Sequence, residues 1–192
     1  MDLDTLYRNA CENWAGTVAR IAADQWELPT PCTDWTVRDL VNHVTGEDLW
    51  TPPLVAGKTI ADVGDQFDGD VLGDDPIGSA RTAADAAIAA TTAALPGGGT
   101  VHLSFGDFPV SEYAWQLVAD HLVHAWDLAA AIGAPRDLDP EAVADVATWF
   151  VNWEDGFRAA GAIGPRVPVS DADPQTLFLA SVGRDADWAA SA

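Results

Sequence analysis

The chain has 192 residues, 48% of them apolar and nine of them Trp, enough for one domain with a full core and too apolar for disorder. Thirty acidic residues against nine basic ones leave a formal charge of −21, which repels a phosphate backbone or an anionic bilayer. Nucleic acid and membrane surfaces are therefore excluded as expected partners.

Two cysteines, Cys11 and Cys32, do not make a disulfide framework, although a single Cys11–Cys32 bridge stays open. The opening stretch MDLDTLYRNACENW has neither a basic nor an apolar leader segment, so no signal peptide is expected. No run approaches the ~20 apolar residues of a bilayer span. A cytoplasmic location is the expectation.

From Asp2 to about Ala23, apolar residues recur at Leu3, Leu6, Ala10, Trp14, Val18 and Ile21 and predict an amphipathic helix. Pro29 and Pro31 then force an extended connection. A second helix starts at Thr36, which forms a capping-box-like pair with Asp39, and Pro52 and Pro53 are expected to end it. His43 lies among its apolar positions. Residues 54–75 read as a solvated loop with a helical turn near Thr59.

Asp75-Pro76 opens an Ala-rich third helix that stops at Pro96 and the three glycines after it. Thr100 to Phe105 alternates as a short strand, with Gly106-Asp107 as its turn. The fourth helix spans Ser111 to Gly133, with Ser111 as N-cap and Gly133 just past its end. Asp139-Pro140 begins a fifth, striped by Val143, Val146, Phe150 and Phe157. Arg166 to Ser170 is extended, and Asp173-Pro174 opens a short last helix closed by Gly183. Four long helices with a fifth packed on argue for an all-α helical bundle, in whose core such folds place metal sites.

The chemistry concentrates on the fourth helix. Asp120 and His124 stand four apart and project from one face, where an acid and an imidazole either pair or hold a metal. His43 on the second helix supplies a third donor, and two imidazoles with a carboxylate suit zinc in a site with an open position. His121, three before His124, competes with Asp120 for that face. Glu47, four after His43, offers a further carboxylate or is an exposed acid. His102 reads as an ordinary strand residue or a hydrogen-bonding partner, and Cys32 as a structural or a reactive thiol. Asp127, after Trp126, reads as a local cap or orienting group whose function is not legible. No phosphate loop and no nucleophile elbow is present.

TPCTDWTVRDLVNHV (residues 30–44) together with DHLVHAWDLAAAIG (120–133) resembles the DinB/YfiT-like metalloenzymes. The likeness is greatest to the actinobacterial branch with the N-terminal domain of mycothiol-dependent maleylpyruvate isomerase. The segment IGPRVPVSDADPQTLFLASVGRD (163–185) is similar to small single-domain members. The resemblance implies a DinB-like four-helix bundle over residues 1–192, with an additional C-terminal helix and a short strand pair or extended segment. It further implies a divalent metal, zinc or nickel, held by His43, Asp120 and His124. The isomerase pattern has Glu where Asp120 stands, and this chain is expected to lack the isomerase's extra C-terminal domain, so the substrate is not carried over.

The expected function is a metal-dependent enzyme that uses a mycothiol-like thiol for S-transfer or isomerisation of a small electrophile. The alternatives are a non-catalytic metal- or ligand-binding bundle and a stress-associated protein with a vestigial site. Bundles of this kind often pair, so a homodimer is expected by analogy.

Overall fold

The computed structural model describes residues 1–170 and 172–190. Four long helices form a closed ring of contacts: α1 (Leu3–Val18) packs on α5 (Val110–Ile132), α5 on α2 (Val37–Val55), α2 on α4 (Pro76–Ala94), and α4 back on α1. Between them run a single turn, α3 (Ile60–Val63), and a hairpin of β1 (Thr100–Leu103) with β2 (Gly106–Pro109). Three shorter helices come after: α6 (Pro140–Phe150), α7 (Glu154–Ala159) and α8 (Pro174–Ser181). α6 packs on both α5 and α8. The expected all-α, DinB-like bundle with a short strand pair is the fold observed, and three shorter helices follow α5 among the described residues where one additional C-terminal helix was implied.

The helix starts obey their capping chemistry. Thr36 accepts from Asp39 N and the Asp39 carboxylate accepts from Thr36 N, a complete capping box. Asp75, Asp139 and Asp173 each accept backbone N–H groups ahead of a proline at the first helical position. The stripe read on α1 is buried from Leu6 through Trp14 to Val18.

Five local expectations are corrected. α1 ends at Val18, because Ile21 turns inward through a short-range bond from its N–H to the Val18 carbonyl and is buried there. α2 continues through Pro52 and Pro53 to Val55. The prolines remove two N–H groups, but Ala56 N donates to the Pro52 carbonyl and buried Leu54 anchors the turn. The hairpin turn falls at Ser104 and Phe105, so Gly106 and Asp107 belong to β2, where Asp107 pairs with His102. α5 begins one residue before Ser111 with no side-chain cap, since β2 runs directly into it and Val110 N donates to Gly99 O at 3.1 Å. The helix after Asp139 breaks behind Phe150, and Phe157 stands on α7, where it still stacks on Phe150 at 6.1 Å.

Candidate metal centre

Position 43 on α2 and positions 120 and 124 on α5 face one another across the bundle wall. Asp120 Oδ1 lies 3.3 Å from His124 Nε2 and 3.8 Å from His43 Nε2. One potential ligand atom from each of the three residues lies within 4.8 Å of the others. The two imidazoles meet edge to face at 5.2 Å, and the Trp35 ring packs over both, 4.9 Å from His43 and 6.2 Å from His124. His43 and Asp120 keep about a third of their side chains exposed while His124 keeps 10%, so the cluster is anchored inside and open outside.

The anchor is a second carboxylate. Asp127, one turn after His124 and fully buried, accepts from His124 Nδ1 at 2.9 Å. That bond engages Nδ1 and turns Nε2 toward Asp120 and His43. Arg184, in the segment after α8, clamps Asp127 with two bonds of 2.9 Å, from Nε and from Nη2. Cys32 completes the group: its Sγ donates to Asp127 Oδ2 at 3.2 Å and accepts from Arg184 Nη2 at 3.2 Å.

The electrostatics follow from this packing. Burial pushes the Asp120 carboxyl up, but the imidazoles of His124 and His43 outweigh it and hold it well below the usual carboxylate range. Burial likewise pushes His124 down, and Asp120, Asp127 and Cys32 together hold it well above the usual imidazole value. With no cation, a protonated His124 faces Asp120 and offsets its charge. A divalent cation would take over that role, and the donor set suits one: two Nε2 atoms, one carboxylate, and a buried Asp120 Oδ2 with no hydrogen-bond partner.

The competing imidazole lies elsewhere. His121 faces the bundle interior, fully buried, where Nδ1 donates to Leu117 O at 2.8 Å and Nε2 meets Asp48 Oδ1 at 3.1 Å. Because one nitrogen already donates to a carbonyl, a single proton must lie between the other and Asp48. Cys11 sits beside this pair, so both cysteines are free and no Cys11–Cys32 bridge forms. Glu47 is half-buried near the cluster, where burial and then the charge of Asp120 push its carboxyl up. His102 pairs with Asp107 on the hairpin at 2.8 Å, outside the cluster. Asp127 and Arg184 were not legible as site residues. The i, i+3 spacing of His124 and Asp127 was the available signal, whereas nothing local marks Arg184.

A cavity of about 260 Å³ opens beside Asp120 and His124, between α5 and the helices after it. Among the described residues, no helix is long and apolar enough to cross a membrane.

Rv0738 and MT0763, uncharacterised proteins of two Mycobacterium tuberculosis strains, are each 35% identical to this chain over 177 residues, 91% of this chain and 89% of theirs. A crystal structure of a histidine-to-alanine variant of the mycothiol-dependent maleylpyruvate isomerase shares the fold. It has a TM-score of 0.56 and 15% identity, covering 81% of this chain and 72% of that one. Residues 7–129, from α1 through the metal-type cluster on α5, match the mycothiol maleylpyruvate isomerase N-terminal domain, and the chain belongs to that family.

Proposed function

We propose that the protein is a divalent-metal-dependent enzyme that uses a low-molecular-weight thiol of the mycothiol type for S-transfer to, or isomerisation of, a small electrophile. The observation that carries this reading is His124, held by Asp127 so that its Nε2 faces Asp120 and His43. Zinc suits two imidazoles and a carboxylate, with nickel the alternative. The partial exposure of His43 and Asp120 leaves room for a further group at the outer side.

A cation bound there supplies Lewis acidity, which favours the ionised form of a thiol. The chain's own residues do the remaining work. Asp127 fixes the His124 tautomer, and Arg184 keeps Asp127 ionised and stationary. Glu47, with its carboxyl pushed up, is placed to hold or pass a proton at the wall of the cavity. In this reading residues 1–192 act as one metal-binding domain in a reducing cytoplasm, where a thiol cosubstrate persists.

Elemental analysis of untagged protein, beside His43→Ala and His124→Ala, tests the reading. Near-stoichiometric metal in the wild type, lost in both folded variants, is expected. Absence of metal after reconstitution with zinc and nickel refutes it.

A further inference from the structure

A second group of metal-type donors lies inside the bundle, apart from the cluster on its wall. Cys11 of α1, Asp48 of α2 and His121 of α5 are each fully buried, and one potential ligand atom from each lies within 4.8 Å of the others. α1 and α2 stand diagonally across the ring of four long helices, and α5, which carries His121, packs on both. None of the three residues belongs to the outer cluster of His43, Asp120 and His124.

The group is left with bare oxygens when only protons hold it together. His121 Nδ1 must donate to the Leu117 carbonyl at 2.8 Å, which aims Nε2 at Asp48 Oδ1, 3.1 Å away. A histidine tied through one nitrogen to a backbone carbonyl, with the other facing a carboxylate, is oriented as metal-ligating histidines are. Asp48 Oδ2 is buried with no hydrogen-bond partner, and so is Tyr7 Oη. The Tyr7 ring meets His121 edge to face at 6.4 Å, and its hydroxyl lies close to Cys11. A proton shared by Nε2 and Oδ1 satisfies those two atoms alone. The second carboxylate oxygen and the phenol stay unpaired in the core.

A divalent cation fits both the spacing and the charge. Zinc takes thiolate, imidazole and carboxylate at ~2.0–2.3 Å, which sets tetrahedral neighbours about 3.4–3.6 Å apart. Nε2 and Oδ1 are already 3.1 Å apart, so small side-chain shifts close the three donors on one ion. On binding, bonds form from the metal to Sγ, Nε2 and Oδ1, and two protons leave. They are the Cys11 thiol proton and the one shared by His121 and Asp48. A thiolate, a carboxylate and a neutral imidazole then balance the cation, so the core gains no net charge. The unpartnered Asp48 Oδ2 and Tyr7 Oη are available for the fourth position.

We propose that Cys11, Asp48 and His121 form a structural zinc-type site in the bundle core, separate from the outer cluster, which staples the diagonal helices α1 and α2 through α5. Because all three side chains are fully enclosed, the ion enters as the chain folds and leaves only when it opens. The loss expected above at the outer cluster is then one equivalent of two.

Full-length protein produced in cobalt-supplemented medium, with His43→Ala and His124→Ala combined to empty the outer cluster, tests the site. Elemental analysis counts the cobalt, and a thiolate-to-cobalt charge-transfer band reports sulfur ligation. One equivalent carrying that band is expected, resistant to chelator until the protein unfolds. Adding Cys11→Ala or Asp48→Asn should abolish metal retention in protein that circular dichroism shows to be folded. Cys32→Ala should leave both metal and band unchanged. A folded double variant free of cobalt, or metal persisting in the Cys11 or Asp48 variant, overturns the proposal. A wild type holding a single equivalent that the double variant keeps would support this site and sink the outer one instead.

Discussion

Replacing Asp127 by Asn asks how much the carboxylate behind His124 holds together. The change preserves side-chain shape and removes one buried negative charge. Three groups lose it at once: His124 Nδ1 at 2.9 Å, the Arg184 guanidinium at 2.9 Å through two nitrogens, and Cys32 Sγ at 3.2 Å. Breaking a buried ion pair from one side costs about 3–5 kcal/mol. Arg184 keeps 15% of its side chain exposed, and Asn retains an acceptor oxygen, which together place the expected loss near the lower end, about 3 kcal/mol. In a chain of this size that lowers Tm by about 6–12 °C. Circular-dichroism melts in the presence of chelator separate this loss from any effect of metal. Arg184→Met and the double variant complete the cycle, with a coupling of about 2 kcal/mol expected. A Tm within about 2 °C of wild type, or additive single losses, would refute the clamp. Zinc affinity of the same variant should fall about 10–100-fold, because His124 is no longer oriented.

Gly183→Ala and Gly133→Ala both place a side chain at positive φ, +81° and +70°, at a cost of about 1–2 kcal/mol each. Gly183 should lose more in urea denaturation, because its Cβ would meet the Gly164 backbone at 3.0 Å whereas that of Gly133 meets nothing. Burial pushes the Glu154 carboxyl up, but Arg166 and Arg158 outweigh it and lower its pKa, so it stabilises the fold at neutral pH and ceases to as pH falls through the folded pKa. Glu154→Gln should therefore be less stable than wild type at pH 7, with the gap closing on acidification; an equal gap at every pH contradicts this. Thr36→Ala should cost about 1 kcal/mol by removing the side-chain acceptor at the start of α2, read as a shift in urea midpoint.

The sequence carried most of the bundle because its helix starts depend on neighbouring residues. A capping side chain followed by its partner three positions on, or by proline, specifies a boundary within one turn, as at Thr36, Asp75, Asp139 and Asp173. The start of α5 was misplaced because the bond that fixes it comes from Gly99, eleven residues upstream, and not from a cap. The prolines of α2 misled for a related reason: burial of Leu54 outweighs a local breaker signal. In the site, spacing identified the shared face of Asp120 and His124. It could not choose between Asp120 and His121, since that choice depends on Asp48 waiting in the interior for His121. Arg184 was beyond reach for the plainest reason. Its partner is 57 residues away, and only tertiary folding joins them.

That distance divides the site between two parts of the chain. The residues that would grip a cation all fall within positions 7–129, the part matching the family, while the guanidinium that steadies them comes from outside it. A chain could thus carry the same histidines and acid yet continue differently after them. Each continuation would set its own charge behind the buried aspartate, and so tune the imidazole without altering a single ligand. Variation in reactivity across such proteins is then to be sought in the chain beyond the shared segment as much as in the segment itself.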